Sequence, residues 1–138
     1  MPKRFTATEI WEEDWFLDLP KDYRMFWFYI KDRCDHAGIF KVNTTTFNRL
    51  HESNIDAETA FEVFNKGKKR IRKVNGSSWL IEDFFVFQYG KSFNINNRMH
   101  ESILKLYDKV EVKLGSISGL EVVCDTLKDK DKDKVKDK

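Results

Sequence analysis

The sequence has few cysteines and no long apolar run, and both shortages exclude classes of protein. Its 138 residues include two cysteines, Cys34 and Cys124, whose spacing fits neither a metal site nor a redox motif. No run of about 18 apolar residues occurs, which excludes a membrane-spanning helix and a membrane partner. The opening MPKRFTATEI lacks the apolar stretch of a secretory signal. These features predict a soluble, cytoplasmic protein.

Signals for metal binding and catalysis are also missing. The three histidines, His36, His51 and His100, fall on different predicted elements, without cysteine or carboxylate at ligand spacing. There is no glycine-rich phosphate loop, nucleophile motif or Walker-type lysine. We therefore expect no catalytic residues, no metal and no cofactor, and the chain is predicted not to be an enzyme.

The positive charge of the chain is concentrated in one segment. The net charge is only +2, but residues 66–73 carry six basic and no acidic side chains. Residues 1–65 carry 8 basic and 12 acidic side chains, and residues 74–127 carry 5 and 7. An evenly basic protein would spread its charge, so this concentration points to a local contact with an anionic partner.

One aromatic helix is predicted at the centre of a single core. The hydrophobic content of 41% suffices for one packed domain and not for two. Between residues 20 and 35, apolar side chains recur at i, i+3, i+4, i+7 and i+11, the spacing of one buried helix face. They are Tyr23, Phe26, Trp27, Ile30 and Cys34. The preceding segment, residues 10–19, predicts a helical turn or two laid over this core.

A helix-turn-helix is predicted after a short β-prone run at residues 39–42. The first helix spans about residues 45–53 and would bury Phe47 and Leu50. The second spans about residues 57–66, with Asp56 as its N-cap.

A hairpin is predicted directly after these helices. Two β-prone runs, residues 68–74 and 79–87, flank Asn75-Gly76, which is a strong hairpin signal. Between residues 69 and 73 only Ile71 interrupts the charges, so we expect this strand to project into solvent or onto a partner. The order predicts an α+β, mainly helical fold of winged helix-turn-helix type, with the hairpin as the wing.

A final helix over residues 97–110 would close the core. Its predicted buried face consists of Met99, Ile103, Leu106, Tyr107 and Val110. Residues 1–110 are therefore predicted to form one winged-helix domain. Residues 111–138 are expected to be poorly structured, because they hold one β-prone piece, residues 120–124, without a clear partner, and end in the charged tail KDKDKDKVKDK.

Three strings carry a resemblance to a known family. They are KKRIRKVNGSSWLI, FFVFQYG and NINNRMHESI, between residues 68 and 103. Over residues 5–110 the chain resembles the N-terminal winged-helix domain of phage and prophage replication proteins of the replisome-organiser type. In that family a charged linker joins the domain to a C-terminal part that engages the host replication machinery. The resemblance implies a role in DNA replication, with replication proteins as further partners through a C-terminal region.

The sequence predicts double-stranded DNA as the partner of the basic segment. Lysine and arginine neutralise phosphates and give affinity that is independent of sequence and strongly dependent on salt. Glu58 and Glu62 would repel phosphates from the second helix of the pair, so the wing is expected to dominate the contact. The candidate DNA-binding residues are Lys66, Lys68, Lys69, Arg70, Arg72, Lys73, Asn75, Arg49, Asn48 and Thr59.

Several alternatives stay open at this point. The basic segment also fits a charged strand edge that prevents pairing with other sheets. Phe85 and Phe87 could form a stacking surface for single-stranded DNA. The body could instead serve as a protein-interaction adaptor in the replication machinery, or as a transcriptional regulator. The sequence does not decide the oligomeric state.

Overall fold

Helices and two small sheets alternate along the chain, which has an α+β fold. The computed structural model describes residues 3–123. Short 3-10 helices lie at Thr8–Glu12 and Leu114–Ser116. The helices are α1 (Asp14–Leu17), α2 (Lys21–Arg33), α3 (Thr45–His51), α4 (Ala57–Phe64), α5 (Phe84–Tyr89) and α6 (Arg98–Lys109). The strands are β1 (Ile39–Lys41), β2 (Ile71–Val74), β3 (Ser78–Ile81), β4 (Ser92–Asn94) and β5 (Glu121–Val123). Within the described residues no helix is long and apolar enough to cross a membrane.

Helix α2 forms the centre of the larger core, as its spacing predicts. Phe26 and Ile30 are completely buried, and the ring of Phe26 lies 5.0 Å from that of Phe47 on α3. Trp27 lies 5.0 Å from Phe64 on α4. Burying one aromatic side chain removes 150–250 Å² or so of surface from water, so these contacts hold α3 and α4 against α2.

A side-chain clamp fixes the turn between α3 and α4. The Oδ1 of Asn48 accepts from the Ile55 backbone N–H at 2.9 Å, and its Nδ2 donates to the Ile55 carbonyl at 3.1 Å. Asp56 caps α4 as predicted, accepting from the Thr59 backbone N–H at 3.1 Å. The prediction that Leu50 is buried is wrong, because α3 ends at His51 and leaves this side chain 69% exposed; Ile55 in the turn packs into the core instead.

The predicted hairpin is part of a three-stranded antiparallel sheet in the order β1-β3-β2. Ile39 pairs with Leu80, and Ile71 pairs with Ile81. All four residues of the central strand β3 are buried. The first strand of the hairpin therefore does not simply project into solvent. Ile71 is completely buried and anchors β2 to the larger core.

The predicted strand over residues 79–87 is wrong beyond Ile81. The chain turns at residues 82–83 and continues as helix α5. Phe84 packs in the larger core and Phe85 in a second cluster, so consecutive aromatic side chains are buried on two sides. Packing overrides the β-propensity of this string. Gly38, at φ +83°, packs so closely on Phe84 that an added Cβ would lie 2.6 Å from that side chain.

The boundary predicted at residue 110 is not found in the structure. Val112 and Ile117 are buried in the second cluster. Strand β5 pairs in parallel with β4, with Phe93 opposite Val122. The expectation of poor structure therefore fails for residues 111–123. Cys124 and the charged tail lie outside the described residues.

Helix α6 begins as predicted but is rotated relative to its predicted face. Asn97 caps it, accepting from the backbone N–H groups of Met99 and His100. Met99 is exposed, whereas His100 is buried between the rings of Phe85 and Phe93 at 5.1 and 5.2 Å. The Nδ1 of His100 accepts from the Asn94 backbone N–H at 2.9 Å.

Burial of His100 should make the fold sensitive to acid. Burial lowers the pKa of this imidazole, and protonating Nδ1 would also break its bond from Asn94. The unfolded chain takes up a proton near the ordinary pKa of about 6.5, before the folded chain does, so stability is lost as pH falls below that value. Urea unfolding between about pH 7.5 and pH 5.5 should show a smaller loss for His100→Gln than for the natural chain. Equal losses in the natural chain and in His100→Gln would contradict the assignment.

Candidate nucleic-acid interface

The basic segment divides into a loop, residues 66–70, and strand β2. We call residues 66–70 the basic loop. Asn65, the residue after α4, closes its base, because the Asn65 Oδ1 accepts from the Arg70 N–H at 2.8 Å and from the Ile71 N–H at 2.9 Å. Gly67 adopts a φ of +79°, in the left-handed region that glycine tolerates. The loop is thus held in one conformation at the C-terminal end of α4.

Arg70 lies inside this loop. Its Nη1 donates to the carbonyls of Phe64, Lys66 and Lys68 at 3.1, 3.0 and 3.2 Å. Its guanidinium lies 3.9 Å from the centre of the Trp15 ring. Burial lowers the pKa of Arg70, although a guanidinium stays charged at neutral pH. Arg70 was predicted to contact phosphate. It instead donates to backbone carbonyls at the end of α4 and in the loop, where helical hydrogen bonding no longer supplies a partner.

Arg72 is engaged in a similar way. Its Nε and Nη2 donate to the two carboxylate oxygens of Glu82 at 2.8 and 2.9 Å. Its Nη1 and Nη2 also donate to the Ser116 hydroxyl at 2.9 Å and the Ser116 carbonyl at 3.0 Å. Arg72 therefore attaches the turn around Ser116 to the hairpin. The expectation that both arginines of the segment face a partner does not hold.

The lysines of the segment remain on the surface. Lys66 and Lys68 are exposed, and neither forms an ion pair within residues 3–123. Lys69 is 67% exposed, with its Nζ 3.9 Å from Glu82. Lys73 is half exposed and pairs with Glu58 at 2.8 Å, where it also lies over the ring of Phe61. Lys66, Lys68 and Lys69 are consequently the cations of this segment most available to an anionic partner.

Strand β2 runs alongside α4 in the opposite direction. Lys73 meets the first turn of the helix at Glu58, and Arg70 meets its last residue, Phe64. The basic loop therefore lies at the C-terminal end of α4, and the hairpin turn lies toward its N-terminal end. The exposed side of α4 carries Glu58 and Glu62, and Lys73 at that end is paired with Glu58, so the unpaired lysines lie at the end with the loop.

The other predicted DNA contacts are spread over different parts of the surface. Asn48 is committed to Ile55, as described above, and is not free to read a base. The Thr59 hydroxyl donates to Asp56 at the start of α4. Arg49 on α3 and Asn75 in the hairpin turn are exposed. None of these residues is brought onto the basic loop by a contact within residues 3–123.

A groove that the sequence does not reveal lies next to the basic loop. Its volume is about 580 Å³. Helix α2 contributes Lys31, and α5 contributes Phe87, whose ring centre lies 5.3 Å from the Lys31 Nζ. Burial lowers the pKa of Lys31. Residues 31 and 87 are far apart in sequence, so only the fold shows that they line the same groove as Lys68 and Lys69. Among the described residues, no group of His, Cys, Asp or Glu could hold a metal ion.

We expect the basic loop to depend on the guanidinium of Arg70, with its reach and its flat face on Trp15, as well as on its charge. Arg70→Lys keeps the charge but loses the three-carbonyl arrangement and much of the contact with Trp15. Loss of charged hydrogen bonds and of a cation–π contact should lower the free energy of unfolding by about 1 to 3 kcal/mol in urea. Amide exchange at residues 66–69 should accelerate. The exposed Arg49→Lys change should cost less than about 0.5 kcal/mol; a similarly small cost for Arg70→Lys would show that a guanidinium is not needed at this position.

Comparison with known proteins identifies no relative whose function could suggest a role for this chain. The chain has no significant match to a protein-family model, a curated protein or a solved structure. A function for the basic loop is therefore argued from its own geometry and charge.

Proposed function

We propose that this chain is a DNA-binding module that contacts the phosphates of duplex DNA through the basic loop. One observation carries the proposal: Lys66, Lys68 and Lys69 are exposed on a loop that Arg70 and Asn65 hold from within. A preformed loop loses little conformational freedom when it binds, so more of the electrostatic attraction is available as affinity.

The order of the elements supports a winged-helix fold as part of this proposal. Helix α2 is followed by β1, the pair α3 and α4, and then the β2–β3 hairpin, with β1 paired to β3. In such a fold the hairpin is the wing, and the second helix of the pair is the element that enters the major groove. Here that helix is α4, whose exposed carboxylates disfavour a close approach to phosphate.

The chemistry of the loop favours contact with the DNA backbone over reading of bases. Lysine ammonium groups attract phosphate as point charges and release the cations condensed on DNA. The two arginines of the segment, which could form forked contacts to guanine, are used inside the protein. We therefore propose binding that depends strongly on salt and only weakly on DNA sequence.

The salt dependence of duplex binding tests this proposal. The full chain is titrated against a labelled blunt duplex at several salt concentrations between about 50 and 200 mM. Replacing Lys66, Lys68 and Lys69 together by Gln should weaken binding and reduce the slope of log affinity against log salt by about 2 to 3, since each phosphate contact contributes about 0.9.

A matched variant controls for total charge. Lys41 on β1, at the opposite edge of the sheet from β2, and Lys105 and Lys109 on α6 are exposed, and none of them lines the groove beside the basic loop. Their triple change to Gln removes the same charge and should leave both the affinity and the slope close to those of the natural chain. If the two triple variants bind equally, or if the natural chain shows no salt dependence, the proposal is overturned.

The proposed biological setting is DNA replication in a phage or mobile element. This part rests on the resemblance of the strings between residues 68 and 103 to replisome-organiser proteins. In that setting the module would hold DNA while another region engages replication proteins. A transcriptional regulator would use the same chemistry but would need recognition of a specific sequence.

A second candidate function is a protein-interaction adaptor, and exposed apolar side chains near the N-terminus favour it. Phe5 is 70% exposed and Trp11 is 59% exposed, although the Trp11 ring also packs on Phe16 at 5.3 Å. If these side chains mediate self-association, light scattering after size exclusion should show a mass that rises with concentration, and changing both residues to Ser should restore the monomer. A monomer at all concentrations would remove the self-association form of this candidate.

A further inference from the structure

The groove beside the basic loop combines positive charge with one partly exposed aromatic ring. It lies between the N-terminal segment, α2, the basic loop, α5 and the turn around Ser116. Its volume of about 580 Å³ falls in the usual range of sites for small organic ligands. Two of its lining residues, Lys68 and Lys69, belong to the proposed DNA contact. The groove is therefore continuous with that surface.

Three lysines give the groove its positive charge. They are Lys31, Lys68 and Lys69. Lys31 is partly buried and forms no ion pair within residues 3–123, although the Asp83 carboxylate, which also lines the groove, attracts it from beyond ion-pair distance. Three carboxylates also line the groove, and one of them, Glu82, is bound by Arg72 through two hydrogen bonds. With Arg70 and Arg72 the lining holds five cations against Glu13, Glu82 and Asp83, so an anionic group entering the groove would meet a surplus of positive charge.

The aromatic side chains of the groove differ in how open they are. Trp27 and Phe84 are nearly buried, and the ring of Trp15 is covered by Arg70. Phe87 is 41% exposed, with Lys31 lying over its ring. A planar ring attached to an anion would suit this pair, with the ring on the part of Phe87 that Lys31 leaves exposed and the anion on the Lys31 ammonium.

We propose that this groove binds one unpaired nucleotide of a DNA strand whose neighbouring phosphates lie on the basic loop, with the base against Phe87 and its phosphate near Lys31. The inference rests on the proposed function, because Lys68 and Lys69 serve both parts of the surface. Each nucleotide supplies one planar ring and one negative charge, as the groove requires. An acidic peptide would supply the charge but would not need the flat face of Phe87.

Duplexes with and without a single-stranded end test the inference on the full chain. A labelled blunt duplex is compared with the same duplex carrying an overhang of about four thymidines. The overhang should tighten binding about fivefold or more, as expected from stacking of one base on an aromatic side chain. If the blunt duplex binds and the overhang adds nothing, the groove inference fails while the proposed function stands. If neither duplex binds, the proposed function itself fails.

Substitutions at Phe87 separate stacking from simple apolar contact. Phe87→Leu keeps an apolar side chain at this exposed position but removes the flat ring, and should abolish the gain from the overhang. Phe87→Trp keeps a flat ring and should retain the gain. Both variants should bind the blunt duplex as the natural chain does, because Phe87 is not part of the basic loop. Retention of the gain by Phe87→Leu would overturn the inference.

A change at Lys31 and a competing peptide complete the test. Lys31→Met keeps an unbranched apolar side chain and removes the charge, so it should also reduce the gain from the overhang without changing blunt-duplex binding. A short peptide of aspartates around one tryptophan is then added to the complex with the overhang duplex. A thymidine dinucleotide is added in a parallel titration. The proposal expects the dinucleotide to displace the overhang more effectively than the peptide does, although the peptide carries more negative charge. Stronger displacement by the peptide would reassign the groove to an acidic protein segment.

Discussion

The guanidinium of Arg70 lies between the indole ring of Trp15 and three backbone carbonyls, and the candidate interface takes its shape from these contacts. Helix α4 ends in carbonyls that have no partner inside the helix, and the loop after it adds two more. Arg70 satisfies the Phe64 carbonyl together with those of the loop. Because Trp15 covers the same guanidinium, the segment before α2 is attached at this point as well. The loop, the helix end and one wall of the groove therefore depend on one side chain.

The different chemistry of arginine and lysine divides the basic segment into an inner and an outer part. The forked guanidinium can serve several acceptors at once and tolerates partial loss of water, whereas the ammonium of lysine is compact and strongly hydrated. Arg70 and Arg72 accordingly bind carbonyls and Glu82, while Lys66, Lys68 and Lys69 stay at the surface. A count of charges gives both residue types equal weight. The structure separates those that hold the protein together from those that can hold a partner.

Local signals predicted much of the fold where capping and spacing agreed. Helix α2 follows from its aromatic spacing, α4 from Asp56, and the hairpin from Asn75-Gly76. Residues 84–87 were wrongly predicted to continue a strand, because their β-propensity is high. In the structure they form part of α5, which places Phe84 and Phe85 in two different hydrophobic clusters. The partner of β5 was missed because β4 is a three-residue strand with two polar residues. Charge density located the basic loop, but no sequence signal joins it to Lys31 and Phe87, which only tertiary packing brings to the same groove.

The electrostatics of α4 determine where a phosphate backbone would approach. The C-terminal end of a helix carries partial negative charge from its open carbonyls, which would ordinarily repel phosphate. Arg70 binds the Phe64 carbonyl at this end and so offsets that charge, while Lys66 and Lys68 of the loop have no ion pair within residues 3–123 and Lys69 has only a 3.9 Å contact with Glu82. Along the helix itself, Lys73 neutralises Glu58, but Glu62 remains exposed without a cation within the described part of the chain. We therefore infer that DNA would meet the loop end of α4 and the mouth of the groove. This geometry differs from a helix inserted lengthwise into the major groove, and it brings a strand end within reach of Phe87.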